Sequence, residues 1–205
     1  YCIYSAYPKI QLDSEAVHAQ LTVRLSSKGK MKIALITNII PPYRKPLFEE
    51  IGKRHDLTVI CSAANEADRS WCAWNNKNTN FFKTILLKGL QFKMDQGYFY
   101  IQPDLIFALL KVRPDIVINS SFNLNALLGS LYAKFFRKFS ILWSEATCFS
   151  EMKRSVVRLW FRMLLVHLNH VYISSGIKAK EHFLSLGADE KRCFIAVDAV
   201  EDIRK

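Results

Sequence analysis

The segment "MKIALITNIIPPYRKPLFEEI", Met31 to Ile51, decides how the rest of the chain is read. Lys32–Thr37 is a nearly continuous apolar run, the mark of a strand covered on both faces. Pro46 suits a first helical position, so a helix is expected over Pro46–Arg54. Strand, sharp turn and helix in this order open an α/β unit. A turn that cradles a diphosphate at this place is rich in glycine, because backbone N–H groups must approach the phosphate closely. Here the turn is Pro41-Pro42-Tyr43-Arg44-Lys45-Pro46, stiff, aromatic and basic, with no glycine. What such a turn binds has to be read from its neighbours.

Working outward, short β-rich runs alternate with longer helical patterns. Strands are expected at Lys32–Thr37, Leu57–Cys61, Lys83–Leu87, Asp115–Asn119, Phe139–Trp143, Val171–Ser174 and Cys193–Ala196. Helices are expected at Pro46–Arg54, Pro103–Val112, Leu124–Phe136, Met152–Leu168 and Ile177–Leu186, with Gly187 placed as a C-terminal cap. The alternation predicts an α/β fold with a doubly wound, mostly parallel sheet over residues 31–197. The polar stretch Ala63–Asn80 reads as a long surface excursion between two strands. Residues 1–30 lack sustained periodicity; Met31 is taken as the natural start and the preceding arm as a non-native or poorly ordered extension. The alternative is an edge strand at "LTVRL", Leu21–Leu25. Residues 198–205 follow the last strand as a charged tail, which reads as the start of a linker to something further.

Composition narrows the partners. The 205 residues are half apolar, enough to bury one good core. A formal charge of +11 favours something anionic, such as a nucleotide, a phospholipid surface or nucleic acid. The five cysteines are odd in number and scattered without C-x-x-C spacing, which argues for reduced thiols in the cytoplasm and against a zinc site or disulfide framework. No apolar run reaches the roughly 18 residues of a membrane span. The nearest, Leu159–Leu168, is interrupted by Arg162.

In open parallel sheets, ligands bind outside the carboxyl ends of the strands, where strand order reverses. The segments after the expected strands share a character. They supply Asn38, Pro41, Tyr43 and Arg44; then Ser121, Phe122 and Asn123; then Glu145 and Thr147; then Ser175 and Lys178. Amides and hydroxyls dominate, with no metal cluster, glycine cradle or serine–histidine pair. The set suits a hydroxyl-rich ligand, with Arg44 and Lys178 available to an anionic part of it. Asn123 and Ser175 also read as plain helix caps. Glu145 either orients or deprotonates a ligand hydroxyl, or is a solvated surface group or the partner of a nearby arginine.

A second feature is basic. Arg154, Arg158 and Arg162 recur every four residues and share a helix face, and Lys134, Arg137 and Lys138 close the preceding helix. Together with Trp160 and Phe161 they fit an anionic membrane surface, or else a solvated helix face. Nucleic acid is disfavoured, because the aromatics do not interleave with the charges as a stacking platform would.

Three stretches carry a family likeness: Met31–Ile60 with its P-P-Y-R-x-P-L-F turn, Arg113–Thr147 with "ILWSEAT", and Val171–Glu201 with "SSGIKAKEHFLSLGADEKRCFIAVDAVE". Together they resemble the N-terminal half of glycosyltransferase family 4. The resemblance implies a Rossmann-like N-terminal domain of a GT-B fold that binds a glycan or lipid-linked acceptor. The nucleotide-sugar donor, a co-substrate with no other cofactor and typically no metal, would be held by a C-terminal domain that this chain does not include. It implies a role in cell-envelope polysaccharide synthesis, in the cytoplasm or peripherally at the inner face of the plasma membrane. The glycine-free turn would then face the acceptor, with Asn38, Pro41, Tyr43, Arg44, Phe122, Asn123, Thr147, Ser175 and Lys178 lining that side. Many family members place a histidine where this chain has "NSSFN", Asn119–Asn123. Either Ser121 or Asn123 takes that place, or Glu145 assumes part of its role. A membrane-surface module acting with a partner, or another GT-B enzyme such as a sugar-nucleotide epimerase, is the alternative.

Overall fold

A computed structural model describes residues 29–64, 80–94, 97–151 and 156–197. The arm before residue 29, the tail from residue 198, Arg154 and most of the Ala63–Asn80 excursion lie outside the described residues. The strands are β1 Lys32–Thr37, β2 Asp56–Cys61, β3 Phe82–Leu86, β4 Leu90–Met94, β5 Gly97–Ile101, β6 Ile116–Asn119, β7 Phe139–Ser144, β8 Val171–Ser174 and β9 Cys193–Ile195. The helices are α1 Lys45–Arg54, α2 Asp104–Val112, α3 Leu124–Phe135, the short α4 Cys148–Glu151, α5 Val156–Leu168 and α6 Ile177–Ser185.

Seven strands form one sheet in the order β3-β2-β1-β6-β7-β8-β9. Every pairing in it is parallel. The chain winds outward from β1 in one direction and then returns to continue from β6 in the other. Strand order therefore reverses between β1 and β6, where Ile36 pairs with Asn119.

Each face of the sheet has its own core. On one, Phe48 of α1 packs with Leu35, Val59, Ile118 and Trp143. On the other, Leu105 and Leu109 of α2 and Tyr132 and Ala133 of α3 cover Ala34, Ile36, Ile60 and Val117. Leu165 and Val166 of α5 and Phe183 of α6 extend that layer over Leu142 and Tyr172. Helix α3 comes very close to the sheet at Gly129, where a Cβ would meet Asn119 Oδ1 at 2.4 Å and Ile36 Cδ1 at 2.6 Å. Asn119, Ser130 and Asn169 form a buried polar cluster there, with Asn119 Nδ2 donating to Ser130 Oγ at 3.1 Å.

Two features depart from the sequence reading, the first being the short α4, Cys148–Glu151, in what was expected to be a loop. The second is the separate antiparallel hairpin that β4 and β5 form where no strand was expected. Its Tyr100 packs on Ile39 and Ala63, the residues just past the ends of β1 and β2. Gln102 continues the attachment: its Nε2 donates to the Ser62 carbonyl at 2.6 Å, and its Oε1 accepts from Asn125 Nδ2 at 2.8 Å. The hairpin thus flanks the carboxyl edge of the sheet.

Candidate functional site

The turn after β1 is stiff by construction. Thr37 Oγ1 donates to the Ile39 carbonyl at 3.0 Å, Pro41 is buried, and Pro42–Arg44 form a 3-10 turn feeding α1. This delivers Arg44 inward. The residue is only 7% exposed, with its guanidinium 4.3 Å over the Trp143 ring and 5.8 Å from the Tyr43 ring. Nη1 donates to Ser120 Oγ at 3.2 Å, and Nη2 donates to the Glu145 carboxylate in an ion pair. One arginine thereby ties the ends of β1, β6 and β7 together.

The second tie spans the reversal point. Asn123 Nδ2 donates to Asn38 Oδ1 at 2.8 Å, while Asn123 Oδ1 caps α3 by accepting from the Ala126 amide at 2.8 Å. Ser121 lies half-buried in the same turn, and Thr147 is half-buried two residues beyond Glu145. Thus Asn38, Pro41, Tyr43, Arg44, Ser121, Asn123, Glu145 and Thr147 gather at the carboxyl ends of β1, β6 and β7.

The remaining expected residues sit differently. Phe122 packs into the layer below, 5.8 Å from the Phe183 ring, and carries the Arg162 guanidinium 4.7 Å above its own ring. Ser175 does not cap α6; that position falls to Gly176. Lys178 is exposed and paired with Glu181 at 2.9 Å. Among the basic residues, Lys134, Arg137 and Arg158 are exposed and Lys138 is half-buried. Arg162 leaves the basic face altogether. It is 8% exposed because α5 turns that side toward the core, where the Phe122 ring and His182 receive the cation.

Sequence reasoning missed Trp143 as the platform under Arg44 and missed Ser120 as its partner. It also missed two pairings of histidine. Ser140 Oγ lies 2.9 Å from His170 Nδ1, but that nitrogen already faces the Ser140 amide at 3.2 Å, and the pair sits at the amino end of β7, away from the crevice. Cys148 Sγ lies 3.5 Å from His182 Nδ1 beside α6. No group of three or more metal-ligating side chains occurs among the described residues.

Solved structures share this architecture. HepE of Anabaena, in complex with UDP and glucose, aligns over 82% of this chain and 44% of its own, at 10% identity and a TM-score of 0.55. The UDP-GlcNAc 2-epimerase of Methanocaldococcus jannaschii aligns over 80% of this chain and 45% of its own, at 18% identity and a TM-score of 0.54. The UDP-N-acetylglucosamine 2-epimerase of Rickettsia bellii aligns over 82% and 45%, at 16% identity and a TM-score of 0.52. The fold is that of one GT-B half. The chain spans less than half the length of the structures it matches. No protein-family model matches the sequence, and no curated protein matches it significantly. At these identities the likeness carries the fold alone.

Proposed function

We propose that the chain is the acceptor-binding half of a glycosyltransferase that moves a sugar from a nucleotide sugar to a glycan or lipid-linked acceptor. The observation that carries this reading is the first turn. A buried arginine, neutralised by Glu145, occupies the crevice where a glycine cradle would hold a diphosphate. Around it stand amides, hydroxyls and a half-exposed carboxylate, the groups that hydrogen-bond sugar hydroxyls. In transfer, the anomeric carbon's bond to the diphosphate breaks and a bond to the acceptor oxygen forms. Glu145, held by Arg44, orients that oxygen or takes its proton. The donor and its leaving diphosphate belong to the second half of the fold, as the family resemblance implies.

A sugar-nucleotide epimerase is the second reading, supported by epimerase structures that match the fold as well as HepE does. The test is to incubate the natural full-length product with radiolabelled nucleotide sugars and a lipid and glycan extract. Label is expected to move into the acceptor fraction. Conversion of UDP-N-acetylglucosamine into its 2-epimer without acceptor would put the epimerase reading in its place.

The same reading includes peripheral contact with an anionic membrane. Phe107 on α2, Leu131 and Phe135 on α3, and Val157, Trp160 and Leu164 on α5 are exposed. These helices lie side by side on one layer, and Lys134, Arg137 and Arg158 are exposed among them. Apolar rings beside cations suit lipid headgroups. No helix among the described residues is long and apolar enough to cross a membrane.

A further inference from the structure

The segment just after β7 carries a constellation that sugar transfer leaves unused. Cys148 is exposed, with its Sγ 3.5 Å from Nδ1 of His182. The other ring nitrogen, Nε2, lies 3.4 Å from Arg162 Nη1. A guanidinium only donates. The tautomer that satisfies this contact has its lone pair on Nε2 and its proton on Nδ1, so Nδ1–H is directed at the sulfur. His182 and Arg162 are 5% and 8% exposed, and Phe122 holds both, its ring 4.7 Å below the guanidinium and 6.3 Å from the imidazole. The neutral imidazole does not take the thiol proton; its Nδ1–H, fixed toward the sulfur by the buried cation behind it, favours the thiolate by hydrogen bonding. Ser185 Oγ spends its own hydrogen on the His182 carbonyl at 2.7 Å, leaving lone pairs for the thiol hydrogen from 3.8 Å away.

We propose that Cys148 is a modification site that takes small-molecule disulfides. The Cys148 sulfur, as thiolate, attacks one sulfur of the disulfide. That S–S bond breaks, a mixed disulfide forms on Cys148, and the other half leaves as a thiolate. The Cys148 proton goes to solvent. Cys61 and Cys193 do not compete, because burial pushes their thiols up to about 12 and about 11. The adduct would stand next to Thr147 at the rim of the crevice. The inference does not depend on the transferase reading.

The experiment is timed reaction of the chain with oxidised glutathione at neutral pH, read cysteine by cysteine by peptide mass spectrometry. Cys148 is expected to acquire glutathione about ten-fold faster in the folded chain than in the urea-unfolded one, since an oriented imidazole activates a thiol. Cys61 and Cys193 should react only on unfolding. His182→Phe, which keeps the ring but removes the N–H, should lose the acceleration. His182→Asn, whose amide N–H takes nearly the place of Nδ1–H, should keep most of it. Equal or slower reaction in the folded chain overturns the proposal without any variant. So does a folded His182→Phe protein that reacts as fast as the parent.

Discussion

The side-chain amide of Asn123 bridges the two halves of the sheet, donating to Asn38 while its oxygen caps α3. The two roles use different atoms and can be separated. Asn123→Asp keeps the capping oxygen and loses the donation to Asn38. Asn123→Ala loses both. The cap is worth about 1 kcal/mol, with a further ~1 kcal/mol for the bridge. Urea unfolding should therefore rank the parent above Asn123→Asp and Asn123→Asp above Asn123→Ala. Equal losses for the two variants would remove the bridge from the account.

The Arg44–Glu145 pair is asymmetric, and the asymmetry makes a prediction. The arginine side chain is 9% exposed and the glutamate side chain 50%. Glu145→Ala removes the carboxylate that faces a buried guanidinium over Trp143, at a cost of about 1–3 kcal/mol. Arg44→Met leaves a half-solvated carboxylate that water satisfies and fills the space with an apolar chain, a change within about 1 kcal/mol. On the proposed reading, Glu145→Gln in the natural full-length product should lower transfer by roughly 100-fold while leaving donor affinity unchanged. An unchanged transfer rate would confine Glu145 to holding Arg44.

The frame was legible because parallel strands buried on both faces read as continuous apolar runs, as in "KIALIT" and "LTVIC". The hairpin was not. "LQFKM" and "GYFYI" leave Leu90, Phe92, Phe99 and Ile101 exposed, so the alternation that marks a strand with one solvated face is blurred. Among its described residues only Tyr100 anchors it deeply, through contacts remote in sequence. Arg162 failed for a related reason. Spacing of four residues on a 3.6-residue helix places Arg158 and Arg162 near one another but drifts about 40° per step. Arg158 ends in solvent, and Arg162 crosses into the core beside Leu165 and Val166. Spacing gives the shared side, not where that side stops. Glu145 was legible as the partner of a nearby arginine, but which arginine depends on the fold bringing β1 and β7 within reach.

Alkaline pH should destabilise this chain through groups that burial keeps protonated. Burial raises the thiols of Cys61 and Cys193 to about 12 and about 11, and it raises the Tyr172 hydroxyl to about 12. Unfolded thiols release their protons near 8.5 and tyrosine near 10, so above those values the unfolded state binds fewer protons than the folded one. Stability from these groups is fully present below about pH 8.5 and is lost as pH rises through 11 to 12, by about 1.4 kcal/mol per unit for each group titrating. Melting temperature should fall across that window. Cys193→Ala should flatten the fall. An identical slope in the variant would show that Cys193 takes no part.

The membrane contact is the prediction most easily separated into its parts. Sedimentation with vesicles should show binding to anionic lipid and little to neutral lipid. Raising salt from 0.1 M to 1 M shortens the screening length from about 10 Å to about 3 Å, so binding by cations should weaken steeply. Lys134→Gln with Arg137→Gln removes two exposed charges worth about 1 kcal/mol each at such a surface, a loss of roughly thirty-fold in partitioning. Trp160→Ala and Phe135→Ala test the apolar half: they should lower binding at every salt concentration, because inserted rings are not screened. Binding that survives high salt but fails in the aromatic variants would assign the contact to insertion alone. Binding equal on neutral and anionic vesicles would separate the exposed cations from any lipid role and return them to solvent.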